Sequence, residues 1–190
     1  MKTYLKPIVI ATSILMMGGV QAVNTVLDEV TVTGSREETK KSDSMLSIGI
    51  ISRDAVDFTK PGHPSEIISQ VPGAAVAVTN GEGHTTAIRQ GFTTSPLYLF
   101  LEDGVPIRAT GSFNHNALYE VNIPSSGGVE VVRGIGSALY GSDAIGGMVN
   151  VLTKKPSLKE GGDASLEFGG HGYRRLLLGH DTGLSAMGSA

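Results

Sequence analysis

Residues 127–156 read GGVEVVRGIGSALYGSDAIGGMVNVLTKKP, from Gly127 to Pro156, and this stretch decides the fold. Two apolar, β-branched runs, Val129–Val132 and Met148–Leu152, predict buried strands. Between them Gly134, Gly136, Gly141, Gly146 and Gly147 supply backbone freedom and leave no side chain in the way. Backbone of this kind is expected to pack closely against a neighbouring surface. A nucleotide loop is the competing reading of Gly134-Ile135-Gly136, because it follows a strand. The spacing argues against it. Position 139 is Leu where a dinucleotide loop needs its third glycine, and Gly141-Ser142-Asp143 lacks the lysine of a Walker loop.

The order of these residues resembles the C-terminal half of the plug domain of TonB-dependent outer-membrane receptors. The resemblance is carried by Glu130, Arg133-Gly134, Ser137-Ala138-Leu139-Tyr140-Gly141, Ala144-Ile145-Gly146-Gly147 and Val149–Thr153. It implies an α+β plug with a small mixed four-stranded sheet and short helices. The first antiparallel strands of an outer-membrane β-barrel would follow. The wording of 137–147 is especially similar to cobalamin transporters, but that segment is structural and says little about ligand.

Upstream, the signals are consistent with that architecture. Ile48–Ser52 predicts a strand and Arg53–Val56 a helical start. Pro64–Gln70 predicts a short helix, with Pro64 in its first turn and Glu66 complementing its dipole. Val71-Pro72-Gly73 should end that helix, and Val76-Ala77-Val78 should be extended. Asp103-Gly104, after the apolar run Leu97–Leu101, is a hairpin signal in its own right. Ile88-Arg89-Gln90-Gly91 and Asp103-Gly104-Val105-Pro106 also resemble family wording, with Gln90 where glycine is usual.

Downstream the pattern changes. Asp163–Gly169 alternates strictly, placing Ala164, Leu166 and Phe168 on one face and Asp163, Ser165 and Glu167 on the other. Gly169–Gly172 is a turn, and Tyr173–Gly179 a second strand. Any half-buried antiparallel strand alternates in this way, and so does a barrel wall. The resemblance selects the barrel. A plugged barrel has about 22 strands, so two strands predict either a fragment of a longer product or a truncated copy.

The N-terminus carries Lys2 and Lys6, an apolar run from Pro7 to Val20, and Val20-Gln21-Ala22 with small residues at the cleavage positions. This predicts a secretory signal cut after Ala22. The expected organisation is therefore 1–22 signal peptide, 23–44 flexible leader, 45–156 plug and 157–190 incomplete barrel start. Within the leader, Val30–Thr33 is β-branched throughout and favours strand addition to a partner's sheet edge. The resemblance makes Asp28, Glu29, Val30, Thr31, Val32 and Thr33 a TonB box, whose partner is the periplasmic TonB energy-coupling protein.

Of 190 residues, 40% are hydrophobic, enough for one ordinary core, and the net charge of −3 gives no basis for binding nucleic acid. There are no cysteines, which excludes disulfides, thiolate metal sites and cysteine nucleophiles. Five scattered histidines show no metal-ligand spacing, and no nucleophile elbow holds a serine. No catalytic residue, metal site or cofactor is predicted.

The resemblance implies two further sets. Loop residues Asn80, Glu82, His84, Arg108, Ser112, Phe113, Asn114 and His115 would contact a ligand, either a ferric siderophore or a cobalamin. Arg89, Glu130 and Arg133 would lock the plug ionically to the barrel wall, since charges near strand ends in apolar surroundings need partners. The expected function is energised uptake without covalent chemistry, at the cell outer membrane. The alternative is a soluble periplasmic plug-only module that binds the coupling protein without transporting.

Overall fold

A computed structural model describes residues 30–31, 33–34 and 37–183. The expected signal peptide, Asp28, Glu29 and Val32 of the expected box, and residues 184–190 lie outside the described residues. The 127–156 stretch forms β8 (Gly128–Arg133) and β9 (Gly147–Leu152), joined through the four-residue helix α3 (Ser137–Tyr140). The two strands are the centre of a five-stranded sheet. Antiparallel β3 (Ile48–Ser52) lies beside β8. Parallel β6 (Tyr98–Glu102) lies beside β9, with the two-residue β7 (Val105–Pro106) at the far edge. Four strands of five or six residues carry the sheet, as expected, and the short β7 extends it.

Close approach explains one of the glycines. A Cβ on Gly147 would lie 2.6 Å from the Val132 carbonyl oxygen of the neighbouring strand. The Asp103-Gly104 turn has positive φ at both residues (48° and 80°), the geometry of a tight two-residue hairpin between β6 and β7. Asp103 also anchors the end of β9, its carboxylate accepting from the Thr153 amide (2.9 Å) and hydroxyl (2.7 Å).

Strand alternation gives the sheet two faces. On one, Ile51, Phe100, Val129, Val131, Val149 and Val151 pack against α1 (Arg53–Thr59) and α2 (Ser65–Ile68) through Val56, Ile67 and Ile68. Helix α1 begins where Ser52 Oγ accepts from the Ala55 amide (3.2 Å) and stops at Lys60, which takes a left-handed conformation. After α2, Gly73 (φ 84°) turns the chain into the hairpin β4 (Ala74–Val78) and β5 (His84–Ile88). On the other face of the sheet, Ile48, Leu99, Leu101, Val132 and Met148 form a smaller cluster with Ala144.

That second face is interrupted. Glu130 and Asn150 sit directly opposite each other across β8 and β9, flanked in the same row by Ile50 on β3 and Leu101 on β6. Both polar side chains are buried. Over them lies the N-terminal strand β1 (Val30–Thr31), paired with β2 (Thr39–Lys40). The part of the chain expected as a leader thus carries two short strands and a 3-10 turn over Lys41–Asp43.

Beyond Pro156 the nine-residue strands β10 (Glu160–Phe168) and β11 (Arg174–Thr182) form an antiparallel hairpin. Its apolar face points away from the sheet domain, with Leu166, Phe168, Leu176 and Leu178 all exposed. Its polar face points inward. Glu167 pairs with Arg175 (2.6 Å) and lies 3.7 Å from Lys60, while Arg175 donates to the Pro61 carbonyl (2.7 Å). Among the described residues, no helix is long and apolar enough to cross a membrane, which says nothing of strands.

Candidate functional site

The expected site residues fall into three places. The first is the polar row on the second sheet face. Glu130 Oε2 accepts from the Thr31 hydroxyl (2.9 Å) and from the Thr33 amide (2.8 Å). Asn150 Nδ2 donates to the Thr33 hydroxyl oxygen (2.8 Å), and its Oδ1 accepts from the Gly104 amide (3.0 Å). The Tyr140 hydroxyl, brought in by α3, donates to the Thr33 carbonyl (3.2 Å). Thr31 and Thr33 are fully buried by these contacts, while Val30 points outward.

The position of Glu130 in β8 turns its side chain onto the sheet face that Thr31 and Thr33 cover. Arg89 and Arg133 do lie together. Arg89, in a left-handed conformation, donates to the Arg133 carbonyl (3.1 Å) and to Ser47 Oγ (3.2 Å). Arg133 donates to the Pro72 carbonyl (2.8 Å). Between sheet domain and hairpin, Lys60 lies 3.7 Å from Glu167 and Lys154 3.7 Å from Asp163, while Arg175 pairs with Glu167 within the hairpin. The sequence signal for these contacts was the charged face of the alternating 163–169 run.

The second place is the loop after β7. Arg108 organises it, donating to the carbonyls of Phe113 (2.8 Å) and His115 (2.7 Å) and to Glu120 (2.9 Å). The loop curls around an open cleft of about 900 Å³, lined by Thr94, Arg108, Ser112, Phe113, His115 and Glu120 among others. Phe113 stands out from it, 73% exposed. The Gly111 amide donates to Asp143 Oδ2 (2.7 Å), tying the loop to the turn after α3.

The third place is a smaller cleft of about 370 Å³ beside the β4–β5 turn, bordered by His63, Glu82, Tyr119 and Glu120. Asn80 lies in that turn, exposed, and lines neither cleft. His84 and Asn114 are both buried. Asn114 Nδ2 donates to the Thr86 (2.7 Å) and Thr93 (2.8 Å) carbonyls, pinning the loop to β5. His84 donates through Nδ1 to the Glu82 carbonyl (3.0 Å) and accepts at Nε2 from the Leu118 amide (3.2 Å), which requires the neutral ring. Burial, with the nearby His63, His115 and Arg108 charges adding to it, pushes its pKa down to about 4. His63, Thr94, Tyr119 and Glu120 were not expected; their only signal is proximity in the fold.

The family model described as TonB-dependent Receptor Plug Domain matches residues 40–148, more than half of the chain. The chain belongs to the TonB-dependent receptor plug family. The chain is 36% identical over 146 residues to a vitamin B12 transporter, BtuB, of Vibrio vulnificus. That alignment covers 75% of this chain and 23% of the relative. It is 28% identical over 163 residues to BtuB of Vibrio cholerae serotype O1, covering 85% and 26%. The chain therefore spans about a quarter of the length of these relatives. Among solved structures, the plug resembles the pyoverdine outer membrane receptor FpvA of Pseudomonas aeruginosa PAO1, with a TM-score of 0.67 at 20% identity, covering 84% of this chain and 23% of that one. It also resembles the alcaligin outer membrane receptor FauA of Bordetella pertussis, with a TM-score of 0.60 at 20% identity, covering 78% and 25%. At that identity the likeness shows the fold alone: a plug sheet followed by strands beginning a barrel.

Proposed function

We propose that this chain is the plug-bearing part of an outer-membrane receptor that takes up a cobalamin or a ferric siderophore. The identity to the Vibrio vulnificus transporter favours the cobalamin. In this reading the cleft organised by Arg108 receives the ligand. Residues 28–33 are the strand offered to the TonB energy-coupling protein. Lys60, Glu167 and Arg175 seat the plug against the wall that β10 and β11 begin, and the outward apolar face of that hairpin meets lipid. Arg89 and Arg133 are lock candidates, placed side by side for carboxylates on later strands. The process involves binding and displacement, with no covalent step.

The single observation that carries this reading is the strand-prone Val30–Thr31 segment lying on a plug-family sheet as a separate short strand, held by side-chain contacts rather than by the main sheet's ladder. A segment held in that way can pair with another protein's sheet edge. The test is capture of the chain by the periplasmic domain of the coupling protein, with titration of cyanocobalamin and of a ferric hydroxamate chelate. Capture that disappears on deleting residues 28–33, together with saturable binding of one ligand, is expected. Capture indifferent to that deletion sinks the reading. Capture without binding of either ligand points to the plug-only module.

A further inference from the structure

We infer that Asn80 is a site of spontaneous covalent modification, its carboxamide closing on the Gly81 amide nitrogen so that the residue converts to aspartate and isoaspartate at the tip of the β4–β5 turn. The inference is independent of the receptor reading and stands or falls without it.

Asn80-Gly81 is the single Asn-Gly pair in the sequence. Ring closure is fastest where the residue after the asparagine has no side chain to block the approach, which is glycine. The structure adds the conditions for it. The turn is pinned at its base, where the Thr79 amide donates to the Gly83 carbonyl (2.8 Å) and the Gly83 amide to the Asn80 carbonyl (2.7 Å). Its tip, residues 80–82, is exposed. Among the described residues, neither the Asn80 carboxamide nor the Gly81 amide makes a hydrogen bond. Both reacting groups are therefore free to meet. A Cβ on Gly81 would find nothing within 4 Å, so no neighbour crowds the forming ring.

The chemistry needs only water. A solvent base removes the Gly81 amide proton, and the nitrogen attacks Asn80 Cγ. The new C–N bond forms as the Cγ–Nδ2 bond breaks, and the leaving nitrogen takes a proton from solvent and departs as ammonia. The product is a five-membered succinimide. Water then adds to one of its two carbonyls. Opening at Cγ leaves aspartate, and opening at the main-chain carbon leaves isoaspartate.

A second turn in the same chain shows what holds such a reaction back. Asp103-Gly104 is the single Asp-Gly pair, able to form the same ring with loss of water, and Asp103 is also exposed. There both reacting groups are occupied. The carboxylate accepts from the Thr153 amide and hydroxyl, and the Gly104 amide donates to Asn150 Oδ1 (3.0 Å). Exposure is shared, so hydrogen bonding separates the reactive turn from the protected one.

The position gives the change a consequence. The Glu82 carbonyl accepts from both His63 Nε2 (3.2 Å) and His84 Nδ1 (3.0 Å), which joins the turn to the smaller cleft. Isoaspartate inserts a methylene into the main chain and turns the carbonyl that Gly83 bonds into a pendant carboxylate. The pinned turn cannot keep its shape, and Glu82 shifts against the two rings.

The test incubates the folded 190-residue chain in warm, mildly alkaline buffer and follows each asparagine by peptide mapping. Exchange of NH2 for OH marks conversion, and chromatography separates the two products. Asn80 should convert about tenfold faster or more than exposed Asn122, whose successor Ile123 is β-branched. Gly81→Ala should slow conversion by about tenfold, and Asn80→Gln should abolish it, because the longer side chain enlarges the ring. Asp103 should stay intact in the folded chain and yield isoaspartate in urea. In aged protein the ring resonances of His63 and His84 should move, and those of His180 on β11 should not.

Conversion of Asn80 no faster than that of Asn122, with native circular dichroism, overturns the modification site. Conversion at Asn80 in urea but not in the folded chain does the same. If Gly81→Ala fails to fold, the comparison with Asn122 decides. Asp103 reacting as fast in the folded chain as in urea overturns the account of protection. Unmoved His63 and His84 resonances overturn the consequence for the cleft.

Discussion

The two faces of the central sheet use the same strands for opposite purposes. The face toward α1 and α2 is closed by interlocking aliphatic and aromatic side chains, Phe100, Val129, Val131, Val149 and Val151 among them. The face toward the N-terminus is apolar at its margins and polar at its centre, where Glu130 and Asn150 meet Thr31 and Thr33. Alternation makes this possible: adjacent residues of β8 contribute to an apolar core on one face and to a hydrogen-bonded polar contact on the other.

The sharpest way to break the comparison is to damage the apolar face. Phe100→Ala should destabilise the sheet by about 3–5 kcal/mol, because the cavity it leaves is walled by rigid strands. Chemical denaturation would read this as a drop in midpoint. A loss below 1 kcal/mol would mean that the two faces do not differ as described. On the polar face, Thr31→Val keeps the shape and removes the hydroxyl. It should cost about 1 kcal/mol, with non-additive coupling to Glu130→Gln in a double-mutant cycle. Additive effects would separate the two residues.

His84 sharpens the comparison from another side, as a polar group buried permanently. Its folded pKa of about 4 lies below the ordinary 6.5, so the unfolded chain takes up a proton first as pH falls. The stability from its neutral ring is complete above about pH 6.5 and is lost as pH falls toward 4. Melting temperatures of the wild type should decline across that range, and His84→Gln should flatten part of the decline. An identical slope in the variant would remove His84 as the cause. The smallest effect is expected at the hairpin contact. Lys60 sits 3.7 Å from Glu167 with about half of its side chain exposed, so Lys60→Ala should change stability by no more than about 0.5 kcal/mol.

Much of this arrangement was legible in the chain. The runs at 129–132 and 148–152, the Asp103-Gly104 turn and the alternation after residue 162 each carry local chemistry that permits few alternatives. What was not legible depends on residues far apart in sequence. Glu130 reads as a strand-end charge until Thr31, 99 positions earlier, is seen on it. His84 and Asn114 read as loop polar groups, yet His84 begins β5 and meets the 3-10 turn at Ala117–Tyr119, while Asn114 is bonded to β5 through the Thr86 carbonyl. The signal that was available was the polar interruption itself: Val-Glu-Val and Val-Asn-Val within the runs at 129–132 and 148–152.

The outward ribbon of Leu166, Phe168, Leu176 and Leu178 has a practical consequence at the bench. It makes the hairpin an amphiphile attached to a water-compatible body, so preparations of the 190-residue chain call for detergent above modest concentration. Trimming after Pro156 would remove the greasy surface together with Glu167 and Arg175. It would leave in place the residues that hold Thr31 and Thr33, Glu130 and Asn150.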